Sequence, residues 1–471
     1  MKIEVLSAEI GSTITAVSGF EGFRDGKPRL AGQGSAPTSV EQGDVRIGLN
    51  AAIDELKKNL GTGQLEWERF SASSSAAGGL RMSVHGLVYD MTVRAAREAA
   101  LGAGANLCGL SSGEMGPADI EHMIASKPNI LLIAGGVDYG EKKTTLKNAG
   151  LIRDALVQES LTIPVIYAGN TAARDEIRDI FAGTGIHLRI ADNVYPRIDE
   201  LVIEPTRRII QEVFEEHITD APGMKHIRDL VDGTIMPVPG AVMRAAKLAR
   251  GKLGDLIVFD VGGATSDLHS VCADSPDIGR MLLSPEPEAR RTVEGDLGVY
   301  VNRTLVMETA EAGLLAGLFA GRDADELRRA VEALPPKPET DEDKHLAGEL
   351  TYIAAKTALE RHAGRYRDLY TLSGKQRFAE GKDLTAVTTV VGTGGALTRL
   401  PGGRKLLQRV LDSGSGRELF PPVESRILLD ENYIMAAAGV LSVEFPEAAA
   451  ELILESLGGV NNGRTGHRSK Y

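Results

Sequence analysis

Three short segments of the chain combine residue types suited to chemistry on a charged ligand. The fullest is Phe259-Asp260-Val261-Gly262-Gly263-Ala264-Thr265-Ser266-Asp267-Leu268. A strand end delivers one carboxylate, and two glycines let the main chain approach an oxyanion. Thr265 and Ser266 add hydroxyl and N–H donors, and a second carboxylate follows seven residues after the first. Backbone nests suit phosphate. Carboxylates suit Mg²⁺, which keeps several waters and bridges to phosphate oxygens. The alternative is a tight hairpin with two solvated acids. The second segment, Glu9-Ile10-Gly11-Ser12-Thr13, offers one acid and the donors Gly11, Ser12, Thr13 and Thr15. The third, Val390-Val391-Gly392-Thr393-Gly394-Gly395-Ala396-Leu397, places small residues after an apolar run, where a flat ring can lie against backbone. Close helix–strand packing explains the same glycines.

These segments need elements to position them. Residues 3–20 read as two short strands joined at Glu9–Thr13, and Leu256–Phe259 reads as a buried strand ending in Asp260. The two acidic tips share an acid, a β-branched residue, then glycine and small residues. They lie 251 positions apart, about half the chain. A duplicated domain with a ligand between its halves gives that arrangement. A Gly/Pro/Ser-rich stretch covers Gly32 to Thr38, and a helix is expected over 46–59. From about 80 to 200, apolar runs alternate with helical patterns: a strand at 81–88, a helix at 92–101 with Thr92 as its N-cap, strands at 129–134, 163–168 and 186–190, and helices opening at Pro117, 148 and 171. That alternation predicts a parallel sheet covered by helices. Residues 197–250 read as mostly helical. Further helices are expected at 297–331, 345–362, 402–412 and 431–457, with a strand at 387–391.

The chain has 471 residues, enough for two or three domains, with 42% hydrophobic and 25% charged side chains. Its 53 basic and 65 acidic residues leave a net charge of −12. That balance argues against nonspecific nucleic-acid binding, which needs Lys and Arg to neutralise phosphates. The 54 glycines exceed the usual ~7% and predict many tight turns. Two cysteines, Cys108 and Cys272, form neither a disulfide framework nor a C-x-x-C motif and read as buried apolar residues. Met1–Leu6 runs directly into a strand pattern, and no apolar stretch reaches 18 residues. The expectation is a cytoplasmic protein without membrane contact. His269 reads as a core or surface histidine with no second ligand at metal spacing. Glu294 and Asp296 lie in a Gly-flanked loop that either approaches a phosphate or caps a helix starting near Leu297. Asp138 and Tyr139 sit at a strand end where parallel sheets form ligand crevices.

In this order, the three segments resemble those of the sugar kinase/Hsp70/actin superfamily. The resemblance implies an α/β fold: duplicated actin/Hsp70-like ATPase halves of the ribonuclease H-like kind, with an inserted doubly wound parallel-sheet subdomain. It also implies ATP and Mg²⁺. Asp260 and Asp267 would hold the metal or its waters and, with Glu9, form the catalytic set. Gly262, Gly263 and Thr265 would contact phosphate, Gly11, Ser12 and Thr13 its other side, and Gly392, Gly394 and Gly395 the nucleoside.

A closer resemblance spans nearly the whole chain. Ala8–Thr13, Ser74-Ser75-Ala76-Ala77-Gly78-Gly79-Leu80, Gly135-Gly136-Val137-Asp138-Tyr139-Gly140, Pro164–Asn170, Asp260–Asp267 and Thr292–Gly298 are similar to the glutamate mutase accessory family. The Glu9 form looks most like its branch associated with ornithine degradation. The DNA mismatch-repair ATPase that shares the family's name has an unrelated fold. The resemblance implies an ATP-dependent accessory or reactivating chaperone for an adenosylcobalamin-dependent mutase, an aminomutase above all. Damaged cobalamin would leave so that fresh cofactor can enter. Glu9 stands where aspartate is common and Ala16 where many relatives carry lysine, so a slow Mg²⁺-dependent ATPase is favoured over fast phosphoryl transfer. A small-molecule kinase of the same superfamily and a nucleotide-stabilised scaffold are the competing readings, and a homo-oligomer is open. The expected division is 1–75 for part of the first half, 76–200 for the insertion and 201–250 for a helical connection. The second half follows at 251–430, then a C-terminal helix at 431–460 packing back on the first half and a flexible tail at 461–471.

Overall fold

The computed structural model describes all residues except 40–43, 76–79, 104, 199, 219–223, 234, 284–285, 320–321, 372–373 and 459–471. The expected tail and Ala76–Gly79 of the family-like segment therefore lie outside the described residues. The chain forms two compact units: 1–75, 222–290 and 296–471 make the first, and 76–221 with 291–295 the second.

The chain starts with β1 (Lys2–Ile10), β2 (Ile14–Glu21), β3 (Arg29–Pro37) and, after a helix, β4 (Glu66–Ser74). β1 pairs antiparallel with β2 and parallel with β4, and β2 pairs antiparallel with β3. The helix Arg46–Asn59 buries Leu49, Ala52, Ile53 and Leu56, the i, i+3, i+4 spacing of an apolar face. It lies on β3, whose sequence reads only as a Gly/Pro/Ser-rich stretch. The reason is steric: a Cβ on Gly34 would sit 2.2 Å from the Ala52 carbonyl oxygen and 2.3 Å from the Leu56 nitrogen. Those glycines bring helix and strand into backbone contact.

The second unit carries β5 (Leu80–Gly86), β6 (Ala105–Ser112), β7 (Ile130–Ile133), β8 (Val165–Tyr167) and β9 (Leu188–Ile190). They form an all-parallel sheet in the order β6-β5-β7-β8-β9, a doubly wound arrangement. Separate apolar clusters built on Val84, Leu132 and Ile166, and on Leu131, Ile133 and Tyr167, cover its two faces. One local expectation fails here. Thr92 does not cap a helix: its hydroxyl accepts the Leu87 and Val88 N–H groups, and a five-residue π turn, Tyr89–Val93, precedes the helix Arg94–Ala103.

Returning to the first unit, the chain adds β10 (Met236–Pro237), β11 (Leu256–Val261) and β12 (Ser266–Val271). Then come β13 (Ala289–Glu294), whose last four residues belong to the second unit, and β14 (Arg365–Thr371), β15 (Gly374–Glu380), β16 (Thr389–Thr393) and β17 (Arg426–Leu429) of the first. β11 pairs antiparallel with β12 and parallel with β16, and β17 runs parallel beside β16. β10 runs parallel beside β4. Each sheet thus has a central strand with an antiparallel hairpin partner on one side and two successive parallel strands on the other. That is the duplicated α/β architecture the superfamily resemblance implies. Between the sheets, Val5 and Phe20 share one apolar cluster with Val258, Val391 and the helices Val238–Leu253, Met435–Leu441 and Pro446–Ser456. The single helix expected over 431–457 is thus two, with Pro446 opening the second. A Cβ on Gly439 would sit 1.9 Å from the Ala241 carbonyl oxygen, so the first two of these helices cross at backbone distance.

Candidate functional site

The two hairpin tips are closed by the same bond. Gly11 N–H donates to the Ile14 carbonyl at 3.0 Å, and Gly262 N–H to the Thr265 carbonyl at 2.9 Å. Both partners are displaced by the 251 positions that separate the acidic motifs. The register repeats as well: Glu9 lies opposite Ala16, and Asp260 opposite Asp267. Directly opposed residues of an antiparallel pair share a face. The second hairpin therefore carries two carboxylates side by side where the first carries one.

Both tips are held from behind. The Ser12 hydroxyl donates to the Ser75 carbonyl at 2.9 Å, and the Thr38 hydroxyl to the Gly11 carbonyl at 2.8 Å. Around the second tip, Tyr300 and Val301 donate their N–H groups to the Gly263 carbonyl at 2.9 and 2.8 Å. Gly298 touches Ala264 so closely that a Cβ would lie 2.2 Å from its carbonyl group. No helix starts at Leu297; the next one begins at Arg303. Asp296 is held by Arg361 through two bonds of 2.8 and 2.9 Å, a bidentate pair.

The tips face each other across a cavity of about 120 Å³ lined by Glu9, Gly11, Ser12, Thr13, Gly262, Gly263, Thr265, Asp260, Asp267 and Gly395, with Tyr433, Pro239 and Ser75 among the remaining walls. A Cβ on Gly263 would come 2.6 Å from the Thr13 hydroxyl, so glycine sets how near the tips approach. Of the third segment, only Gly395 lines the cavity. Gly394, at φ +84°, passes over the second hairpin, its Cβ position 2.4 Å from the Val261 carbonyl oxygen and 2.7 Å from an Asp260 carboxylate oxygen. Gly392 differs from the expectation of a nucleoside contact: its Cβ position faces Leu429 and Leu407 at 2.7 and 2.8 Å. It is a packing glycine of β16 and is not among the cavity-lining residues.

Two further residues shape the site and were not singled out in the sequence. The Tyr433 hydroxyl donates to Glu9 Oε1 at 2.7 Å, from a residue held at φ 50°. Asp430, fully buried, accepts from the Thr393 hydroxyl at 2.8 Å, from the N–H groups of Ile434 and Met435 at 2.9 Å each, and from the Ser456 hydroxyl. It fixes the turn that presents Tyr433. The sequence offers only a weak signal for either, because β17 is four residues long and Tyr433 meets Glu9 across 424 positions.

The electrostatics follow from gathering acids out of water. Burial pushes the Glu9 carboxyl up to about 8; the charge of Asp260 adds to the push, the Tyr433 hydroxyl opposes it, and Asp430 adds to it again. Burial and then the charge of Asp430 push Asp260 up to about 7. Asp267 is buried beside it. Carboxylates directly opposed on adjacent strands repel, so this donor set fits a hard divalent cation placed between the hairpins. Asp260 and Asp267 are the residues able to hold one, directly or through water, while the small-residue tips leave room for phosphate oxygens. His269 departs from its expected isolation. It is fully buried two residues beyond Asp267, and its ring shares a cluster with both aspartates.

In the second unit, Asp138 accepts from the Thr171 N–H and hydroxyl at 2.8 Å each and from Asn193 at 2.9 Å. It ties the loops after the parallel strands together, while Tyr139 stands 83% exposed at φ 61°. No described helix is long and apolar enough to cross a membrane.

The model of the MutL protein family matches residues 5–457. Protein MutL of Clostridium tetanomorphum is 32% identical over 463 residues, covering 96% of this chain and 98% of that protein. Among solved structures, the chain is similar to a diol dehydratase-reactivating factor in nucleotide-free form (11% identity, 94% and 100% of the two chains, TM-score 0.38). Others are a glycerol dehydratase reactivase (10%, 93% and 99%, TM-score 0.37) and the xylulose kinase of Bifidobacterium adolescentis (13%, 95% and 94%, TM-score 0.30). The family match runs through both acidic hairpins, and both sequence matches take in nearly all of this chain. The chain belongs to the MutL family, the one named for the glutamate mutase accessory protein and distinct from the mismatch-repair protein of the same name.

Proposed function

We propose that this protein is an ATP-dependent accessory chaperone that reactivates an adenosylcobalamin-dependent mutase, of the ornithine aminomutase or glutamate mutase type, by letting damaged cobalamin leave. ATP would lie with its phosphates between the two hairpins. Gly11, Ser12 and Thr13 would meet one side, and Gly262, Gly263 and Thr265 the other. Asp260 and Asp267 would hold Mg²⁺ or its waters, which neutralises charge on the phosphates and on the paired carboxylates. Glu9, with its hydroxyl partner Tyr433, is placed to orient a water of that shell, and slow hydrolysis is the turnover we expect.

One observation carries this reading: a chain that matches the family over nearly all its residues has two hairpin tips, alike in closure and register, on opposite walls of one cavity. Its volume, about 120 Å³, supports a phosphate-and-metal compartment rather than a complete nucleotide pocket, which runs to roughly 300 Å³ or more. Entry of the nucleotide therefore asks the two halves of the first unit to open, a hinge motion that nucleotide state can bias. Moving such an equilibrium from 1:99 to 99:1 takes about 5.5 kcal/mol of differential affinity. Contacts to a γ-phosphate and its metal are suited to supply it, because hydrolysis changes both.

Product analysis tests the reading. With Mg²⁺-ATP and a mutase extract, orthophosphate should appear without any phosphorylated small molecule. A phosphorylated acceptor would establish the kinase alternative, and nucleotide bound without any hydrolysis would leave the scaffold.

A further inference from the structure

β12 alternates, so Asp267 and His269 project from the same face, and Asp260 joins that face from directly across the hairpin. The residue opposite His269 is Val258, and Val271 follows two positions on. The imidazole therefore lies one step beneath the carboxylate pair, between it and the apolar cluster that contains Val258 and Val271. It is fully removed from solvent. One ligand atom from each of Asp260, Asp267 and His269 lies within 4.8 Å of the other two. Side-chain rotation alone can draw such a triangle onto one ion at roughly 2.1 Å.

We propose that Asp260, Asp267 and His269 form a two-carboxylate, one-imidazole metal site, so that the ion held at the second hairpin is a first-row transition ion, for which Mn²⁺ serves as the probe, in preference to Mg²⁺. The proposal rests on the reading of Asp260 and Asp267 as metal ligands and adds the nitrogen. Mg²⁺ takes oxygen ligands and gives up its waters reluctantly, whereas imidazole suits Fe, Ni, Cu and Zn, and the gain from a nitrogen ligand is smallest for Mn²⁺, at the start of the series. A nitrogen ligand on the closed side of the site leaves the cavity side to water and phosphate oxygens. His269 would then act as a selectivity residue: Mg²⁺ can use the two carboxylates alone, and only a transition ion gains from the ring. Without a metal, the same ring is a buried neighbour of the carboxylates, and the experiment must separate the two roles.

Electron spin echo envelope modulation on the full-length protein loaded with Mn²⁺, without nucleotide, reads the nitrogen directly. The wild type should show ¹⁴N modulation, and protein grown with ¹⁵N-histidine should replace it by the ¹⁵N pattern, a readout needing no substitution. In His269→Gln the modulation should vanish. Mn²⁺ affinity should fall by about tenfold or more while Mg²⁺ affinity changes by less than about threefold, as expected if only the transition ion uses the ring. Mn²⁺ bound without histidine modulation, or with modulation that survives His269→Gln, overturns the proposal and leaves the nucleotide–metal reading intact. Failure of any divalent ion to bind, with ATP present or absent, overturns both.

Discussion

Replacing Asp260 by asparagine should stabilise the metal-free protein at alkaline pH while abolishing the metal-dependent part of nucleotide binding. The sign follows from linkage. Asp260 is raised from 3.8 to about 7 by burial and by Asp430, so between those values the folded protein binds more protons than the unfolded chain. Stability then falls as pH rises, by about 1.4 kcal/mol per unit, and the loss is complete above the folded value. From pH 5 to pH 8, with the slope levelling off near the folded value, that is about 2.5 kcal/mol. Partial opening of the carboxylate to the cavity reduces it to about 2 kcal/mol. Asparagine carries no charge and loses none of this, and in shape it resembles the protonated acid. Asp260→Asn should therefore gain about 2 kcal/mol over wild type on going from pH 5 to pH 8, roughly 4 °C in melting temperature for a unit of this size. Saturating Mn²⁺ or Mg²⁺ should reverse the order at pH 8, because only wild type binds the ion well. Melting curves at the two pH values, with chelator and with metal, give all four numbers. A variant that is equally destabilised at both pH values would refute the argument, since it would make Asp260 a structural hydrogen-bonding residue.

Other expectations follow from the same geometry. Gly263→Val places carbon against the Thr13 hydroxyl, so it should remain folded by circular dichroism yet lose binding of a fluorescent ATP analogue; normal binding would remove this tip from the phosphate site. Gly394→Ala, at φ +84° with the Val261 backbone 2.4 Å from its Cβ position, should cost about 3 kcal/mol or more in urea unfolding. Tyr433→Phe removes the donor to Glu9 and should cost about 1.5–3 kcal/mol at pH 9, where Glu9 is ionised, and less at pH 6, where it is protonated. Equal losses at both pH values would show that the tyrosine acts through packing.

The chemistry-bearing hairpins were legible because each concentrates its signal within about ten residues: an apolar strand, an acid, then glycines. The helix Arg46–Asn59 was legible to the residue because its apolar spacing is regular. β3 was not, because its glycines suit a packed sheet as well as a loop, and the difference lies in the helix above them. The hairpin β14–β15 escaped notice because it is largely exposed and shows little apolar alternation; ion pairs such as Arg367–Glu380 and Lys375–Asp368 run along it. Asp430 and Tyr433 were invisible for a different reason. Their partners, Thr393, Ser456 and Glu9, come from other elements, and no local pattern encodes a meeting that the tertiary fold creates. His269 was read as an isolated histidine because its spacing from Asp267 is that of a strand face, while the third member, Asp260, arrives only through hairpin register.

The decisive measurement is recovery of an inactivated mutase. An adenosylcobalamin-dependent mutase inactivated by turnover, or loaded with a cobalamin lacking its adenosyl group, is mixed with this protein, ATP, divalent metal and fresh adenosylcobalamin. Activity should return, and neither ADP in place of ATP nor the Asp260→Asn variant should restore it. Equal recovery with ADP or with no nucleotide would contradict ATP-driven reactivation.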